Sequence, residues 1–302
     1  MKTNQLIFIL SGVVILSSCE KKTGLENTSM TQNLAKSSKI SGKPVSASSG
    51  VTLSADGPGN TYSLINSVLA NPGGDVLETP DCAHPTFGDH ITEVFDATLN
   101  KNVFAFFIHM TPDNDKCNGK TDRQRNEIKT YDQSPANVLA SHNENITYKW
   151  KFKLDAGFQA SPNFTHLHQI KPIDGDNQLP IITITARHKT SGGQYIEVIH
   201  TGGTGKGTSQ GYLASIPLAD FKGQWVEVTE TSTFSFNGKY KINITRISDG
   251  QILLSKQVTG IDMWRDGTTL SRPKWGIYRS LISPTYLRDE IVYFNDFNIT
   301  EL

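Results

Sequence analysis

The chain has 302 residues, 36% of them hydrophobic and 19% charged, and its 29 basic and 29 acidic side chains cancel to a formal net charge of zero. That length and apolar content suit one or two globular domains with an adequate core. Zero net charge argues against a global electrostatic footprint for nucleic acid, so no nucleic-acid partner is expected.

Residues 1–18 read as an export signal. Lys2 is the charged head, LIFIL and VVIL form the apolar run, and Leu16-Ser17-Ser18-Cys19 closes it. The run is short for a membrane span; an ordinary signal peptide with an incidental cysteine is the plainer reading. The closing residues resemble the lipobox of bacterial lipoproteins, where a peptidase cuts before the cysteine and the thiol carries lipid. The resemblance implies lipid on Cys19 and a place in the bacterial cell envelope, at the outer membrane on its periplasmic or cell-surface face, anchored without spanning. Residues 20–50 are rich in Ser, Lys, Thr and Gly and hold no aromatic residue, the composition of a flexible tether. The predicted organisation is a signal peptide over 1–18, the lipidated cysteine and tether over 19–50, and one folded domain over 51–302.

Within that domain TYSLINSVLA (61–70) has helical character. Two loops rich in Gly, Pro and Asp follow, ETPDCAHPTFG (78–88) and TPDNDKCNGKTD (111–122), each with one cysteine. Export permits disulfides, so a Cys82–Cys117 bond is expected ahead of metal ligation; a zinc site would want further Cys or His nearby, and only His84 is close. The second loop offers Asp113, Asp115 and Asp122, but Cys117 stands where an EF-hand needs an oxygen ligand. It reads as a solvated acidic loop. A structural calcium ion stays open, and no cofactor is otherwise expected.

DRQRNEIKTY (122–131) is unusual for a strand. Alternation puts Arg123, Arg125, Glu127, Lys129 and Tyr131 on one face and Asp122, Gln124, Asn126, Ile128 and Thr130 on the other, so neither face is apolar. SPANVLASH (134–142) suggests a short helix. ITYKWKFKL (146–154) is the clearest strand, with Tyr148, Trp150, Phe152 and Leu154 opposite three lysines. In FTHLHQIK (164–171), His166 and His168 share one face, and Leu167, Gln169 and Lys171 the other. Such a histidine pair can ligate metal, but no third ligand is evident and catalysis ranks above it. YIEVIH, WVEVTETSTFSF, YKINITRI and IVYFNDFNIT continue the series, with FNGKY and SDGQ as hairpin turns. In RPKWGIYRS (272–280), Trp275 and Ile277 suit a core, which points Lys274 and Tyr278 outward. Many strands and few short helices predict an all-β fold, a jelly-roll sandwich of two antiparallel sheets.

The three polar strands supply Arg, His, Gln and Tyr without a matched pair of carboxylates. Glycoside hydrolysis generally needs two acids flanking the bond, and the nearest approach to E-x-D-x-x-E, EVFD (93–96), lacks the last acid. Elimination from a uronic acid has other needs. Cationic or amide groups must neutralise the carboxylate as charge develops, a base takes the C5 proton, and an acid protonates the departing oxygen.

These strands resemble the signature strands of jelly-roll polysaccharide lyases. Alginate lyases of that fold carry R-x-E, then Q-I-H, then K-x-G-x-Y-x-Q. The counterparts here are Arg125-Asn126-Glu127, HLHQIK (166–171) and Lys274-Trp275-Gly276-Ile277-Tyr278, in the same chain order. HLHQIK and KWGIYRS are closer to the glucuronan lyase and heparin lyase I group, and the resemblance covers roughly residues 75–302. It departs from the pattern where Gln169 follows His168 and where Ser280 replaces the final Gln. The resemblance implies β-elimination on a glucuronan-, heparin- or alginate-like polysaccharide by a monomer. Tyr278 would be the acid and could double as the base, and His168 or His166 the base or carboxylate partner. Gln169 and Arg125 would neutralise the uronate. Glu127 would orient Arg125, and Arg123, Lys129, Lys171, Lys274 and Arg279 would line the cleft. Two other readings remain: a non-catalytic carbohydrate-binding module using Trp264 or Tyr286, and a glycoside hydrolase using acids such as Glu78 and Asp96.

Overall fold

The computed structural model describes residues 50–302 apart from residue 206. The signal peptide, Cys19 and nearly all of the tether lie outside the described residues. In chain order the elements begin with β1 (Val51–Leu53), α1 (Thr61–Leu69), β2 (Leu77–Glu78), β3 (Ile91–Asp96), β4 (Lys101–Ile108) and β5 (Arg123–Lys129). They continue with β6 (Asn145–Leu154), β7 (Thr165–Pro172), β8 (Ile182–His188), β9 (Gln194–His200) and β10 (Gly211–Pro217). The series closes with β11 (Val226–Thr233), β12 (Gly238–Arg246), β13 (Ile252–Ile261), β14 (Ser271–Ser280) and β15 (Glu290–Glu301).

The strands make two antiparallel sheets. One runs β13-β12-β11-β6-β15-β4-β3 with β1 on β15, and the other runs β10-β9-β8-β7-β14-β5-β2. This is the predicted jelly-roll sandwich. Period-two alternation builds its core: Tyr148, Trp150, Phe152 and Leu154 of β6 are buried. The lysines between them face out and pair with Glu227, Asp296 and Asp96. Burial of this apolar set is the main stabilising term.

SPANVLASH does not form a helix. Only a single 3₁₀ turn, Ala136–Val138, appears there, because Ala140 exchanges backbone hydrogen bonds with Ser271 and ties the chain to β14. The polar inner face of β5 is also accounted for. Gln124 and Asn126 are fully buried. Gln124 Nε2 donates to the carbonyls of His109, Met110 and Asp113, and Asn126 Nδ2 to those of His90 and Phe107. Two amides thus satisfy carbonyls of the loops packed inside this end of the sandwich, which would otherwise be buried without partners. Cys82 and Cys117 are joined, with Cα atoms 6.0 Å apart, linking the Asp81–Ala83 turn to the loop after β4.

Candidate active site

The three polar strands lie side by side in the second sheet: β7 pairs β14, β14 pairs β5, and β5 pairs β2. Register sets the neighbours. Tyr278 lies opposite Arg125 on one side and His166 on the other, and Lys274 lies opposite Gln169. Gly276 is required where β14 meets β5. Its φ is 147°, and a Cβ there would come within 2.1 Å of Asn126 O and 2.6 Å of Glu127 Cα. No other residue type fits that approach.

Two carboxylates sit among the cations of this face. Glu127 is fully buried; it is 2.7 Å from Lys274 Nζ, accepts from Arg125 at 2.8 Å, and accepts from Gln169 Nε2 at 2.5 Å. Glu78 of β2 bonds to Lys274, to Lys116 at 2.5 Å, and to Arg125 and Lys129 at 3.1 Å. Burial alone would raise both carboxyls. Lys274 and Arg125 overcome it for each, with Lys129 and Lys116 adding to Glu78, so both are held below the usual carboxylate range. Arg125 also donates from Nε to Asp115 at 2.6 Å. Burial works against its charge, but Glu127, Glu78 and Asp115 keep it firmly cationic.

Tyr278 stands above this network. The Arg125 guanidinium carbon lies 3.8 Å from its ring centroid, and Arg123 Nη1 donates to its hydroxyl at 3.0 Å. Phe164 packs on both Tyr278 and His166, each with ring centroids 4.9 Å apart, and the Tyr278 and His166 rings are 5.9 Å apart. Burial pushes His166 down to about 3, with Glu127 opposing and Arg187 and Arg125 assisting, so the ring is neutral across the physiological range. Its Nδ1 is buried with no hydrogen-bond partner among the described residues. Lys171 is lowered to about 8 by burial and by the nearby Lys274 and Arg272 charges.

The structure brings Arg123, Arg125, Glu127, Lys129, His166, Gln169, Lys171, Lys274 and Tyr278 to one region, and it separates His168 and Arg279 from them. His166 and His168 do not share a face. A β-bulge lies between them in the pairing with both β8 and β14. Leu167 and His168 therefore both enter the core, while His166 and Gln169 both face the site. His168 is 1% exposed, packs against Trp150 with ring centroids 4.4 Å apart, and places Nε2 2.9 Å from Glu230 of the opposite sheet. Arg279 is likewise buried, donating to Gln124 at 3.0 Å and to the Arg288 carbonyl at 2.7 Å. It braces the sandwich interior and lines no cleft.

The loop expected to be solvated and acidic is exposed along most of its length, as read, but two of its acids are buried and engaged: Asp115 serves Arg125, and Asp113 faces three histidines. Asp122 pairs with Arg123 at 2.6 Å. Of the aromatics suggested for a binding module, Trp264 is buried against His142 and Tyr286 is 41% exposed. Glu78 and Asp96 do not form a pair. They lie in different sheets, and Asp96 is bound by Lys153. Sequence reasoning missed the part Glu78, Asp115, Lys116 and Phe164 play around the signature strands. Glu78 sits on a two-residue strand, too short for any periodic signal.

No family model matches the sequence, and neither does any curated protein. By fold the chain is similar to the endo-β-1,4-glucuronan lyase from the fungus Trichoderma reesei, with 16% identity, a TM-score of 0.50, and coverage of 70% of this chain and 86% of that one. It is similar to the PL-14 alginate lyase from Aplysia kurodai, with 13% identity, a TM-score of 0.53, and coverage of 83% and 98%. An alginate lyase from Klebsiella pneumoniae matches at 14% identity and a TM-score of 0.50, over 71% and 85%. The chain has the jelly-roll fold of the polysaccharide lyases.

Proposed function

We propose that this protein is a polysaccharide lyase that cleaves uronic-acid-containing glycans by β-elimination. The observation that carries the proposal is the pairing of His166 with Tyr278 across β7 and β14, one a neutral imidazole and the other a phenol held by Arg123. A uronate lying over the two places its C5 proton near His166 and its glycosidic oxygen near Tyr278. His166 takes the C5 proton, the C5–H electron pair forms the C4–C5 double bond, and the C4–O bond breaks. The departing oxygen takes the Tyr278 proton, and Arg123 meets the charge left on the phenol oxygen. Base and acid lie on one side of the sugar, so the elimination is syn. The positive field of Arg125, Lys274 and Lys171 lowers the cost of charge developing on the uronate carboxylate. Glu127, itself held by Gln169, keeps Arg125 and Lys274 in place, the Asn177 and Gln178 carbonyls hold Lys171, and Arg125 acts through Tyr278 and that field, since its Nε and Nη1 are already taken by carboxylates.

A hydrolase is disfavoured because it needs a carboxylic acid that is protonated near neutral pH. Glu78 and Glu127 are both held ionised. A binding module has no use for the His166–Tyr278 pair. The signal peptide and the lipid on Cys19 belong to the same proposal, placing the enzyme on the cell envelope where anionic polysaccharide is met. The test is a panel of glucuronan, alginate, heparin-type, pectic and ulvan-type polymers, followed in the ultraviolet band of unsaturated uronates. At least one polymer should yield that absorbance; chain shortening without it would support hydrolysis.

A further inference from the structure

A second cluster lies apart from the His166–Tyr278 pair. His84 follows the Asp81–Ala83 turn, His90 precedes β3, His109 follows β4, and Asp113 lies four residues further along the same loop. One ligating atom of each lies within 4.8 Å of all the others. Asp113 is the hub. Its Oδ1 is 3.1 Å from His84 Nδ1 and 3.2 Å from His90 Nε2, and its Oδ2 is 3.1 Å from His109 Nδ1. Ligand atoms at the corners of a tetrahedral zinc site are separated by roughly 3.3 Å, given zinc–nitrogen and zinc–oxygen bonds of about 2.0–2.2 Å.

The surroundings orient the histidines as metal ligands. His90 Nδ1 lies 2.8 Å from Asp81 Oδ1 and 3.1 Å from the Gly88 carbonyl, which places a proton on Nδ1 and leaves Nε2, 3.2 Å from Asp113 Oδ1, to carry either a second proton or a metal ion. Asp81 is itself fixed by Tyr62 and Thr79 hydroxyls at 2.8 and 2.7 Å and by the His90 amide. This is the carboxylate–histidine arrangement that sets the tautomer of metal-binding imidazoles. Three imidazole nitrogens converging on one buried carboxylate need cations between them, and one divalent ion meets all three contacts at once. Phe87 packs on all three imidazoles, with ring centroids 4.3 to 5.4 Å away, and shields the cluster from one side.

We propose that His84 Nδ1, His90 Nε2, His109 Nδ1 and Asp113 bind one divalent transition-metal ion, with zinc the best match to three imidazoles and one carboxylate. Four protein ligands close the coordination sphere, so the ion is structural. It clamps the same two loops that the Cys82–Cys117 bond joins. The second of those loops carries Asp115 and Lys116, which hold Arg125 and Glu78 in the candidate active site. The metal therefore braces the charged floor on which Tyr278 stands, without touching substrate.

The experiment uses the full chain and is read without any activity assay. Protein purified without added chelator is analysed for metal content, then stripped and titrated with Zn²⁺ by calorimetry and with Co²⁺ by visible spectroscopy. The proposal predicts one ion per chain, a rise in melting temperature on zinc addition, and the intense d–d bands of tetrahedral Co²⁺. His109→Gln and Asp113→Asn should abolish all three responses, and Asp81→Asn should weaken zinc binding by roughly 10- to 100-fold, as loss of a partner behind a ligating histidine does. If either variant fails to fold, the wild-type titrations decide. Wild-type protein that binds neither ion, with a melting temperature indifferent to zinc, would overturn the proposal and leave a proton on His90 as the cation facing Asp113. Octahedral Co²⁺ spectra would overturn the closed four-ligand site.

Discussion

Tyr278→Phe separates chemistry from folding because the structure assigns the hydroxyl and the ring different partners. The ring packs on the Arg125 guanidinium at 3.8 Å and on Phe164 at 4.9 Å, and phenylalanine keeps both contacts. The hydroxyl accepts from Arg123 Nη1 at 3.0 Å. Hydrogen bonds to charged groups contribute about 1.5–3 kcal/mol. Arg123 is partly exposed and retains its bridge to Asp122, so the loss of stability should fall below that range, at about 1 kcal/mol. In a domain of this size that is a fall of roughly 2–4 °C in melting temperature. Removing a positioned acid should slow turnover by at least about 100-fold, or about 2.7 kcal/mol of barrier. The assay is the initial rate of unsaturated-uronate absorbance on a polymer the wild type degrades, alongside thermal melts of both proteins. A variant that melts within a few degrees of wild type and turns over at full rate would refute the role given to Tyr278.

Histidine substitutions should divide cleanly. His166→Ala should abolish turnover with a modest change in stability, whereas His168→Ala should leave Glu230 buried without its histidine and melt well below wild type, its folded fraction still turning over; equal kinetic losses in the two would contradict the bulge. Lys171 bears on pH dependence. Burial and neighbouring cations lower it to about 8 in the folded protein, so the cation is lost as pH rises through that value and KM for an anionic polymer should climb there. Lys171→Met should raise KM at neutral pH and flatten that climb; parallel KM–pH profiles would refute the assignment. Lys274→Met leaves Glu78 and Glu127 with only one of the two cations they share, Arg125, and should cost about 3–5 kcal/mol at neutral pH. Lys274 holds both carboxyls below their unfolded range, so its contribution is present above that range and lost as pH falls and they protonate. The stability gap between wild type and variant should therefore narrow in acid, and a gap independent of pH would contradict the ion network.

The fold was readable because period two is explicit where one face is apolar, as in Tyr148-Trp150-Phe152-Leu154. The outward residues of β14 were readable for the same reason, and those of β5 from alternation alone, although neither of its faces is apolar. HLHQIK was misread because ideal alternation cannot reveal a bulge. One extra residue turns His168 into the core and leaves His166 and Gln169, three apart, on the same face. Arg279 was misplaced for a related reason, since alternation puts it with Trp275 and Ile277 on the inner face and only its charge suggested a cleft. SPANVLASH lost its helix to tertiary pairing of Ala140 with Ser271, which local propensity does not contain. The His84–His90–His109–Asp113 cluster left no motif because its members come from two separate loops, brought together by the β3–β4 pairing and the Cys82–Cys117 bond.

The central claim is that the chain breaks glycosidic bonds by elimination. Mass spectrometry of oligosaccharides released from a uronic-acid polymer tests it most directly. Elimination predicts products lighter by one water than the corresponding hydrolysis fragments, each with an unsaturated uronate at its new non-reducing end, and none from the His166→Ala protein. Saturated, fully hydrated fragments released by the wild type would contradict it.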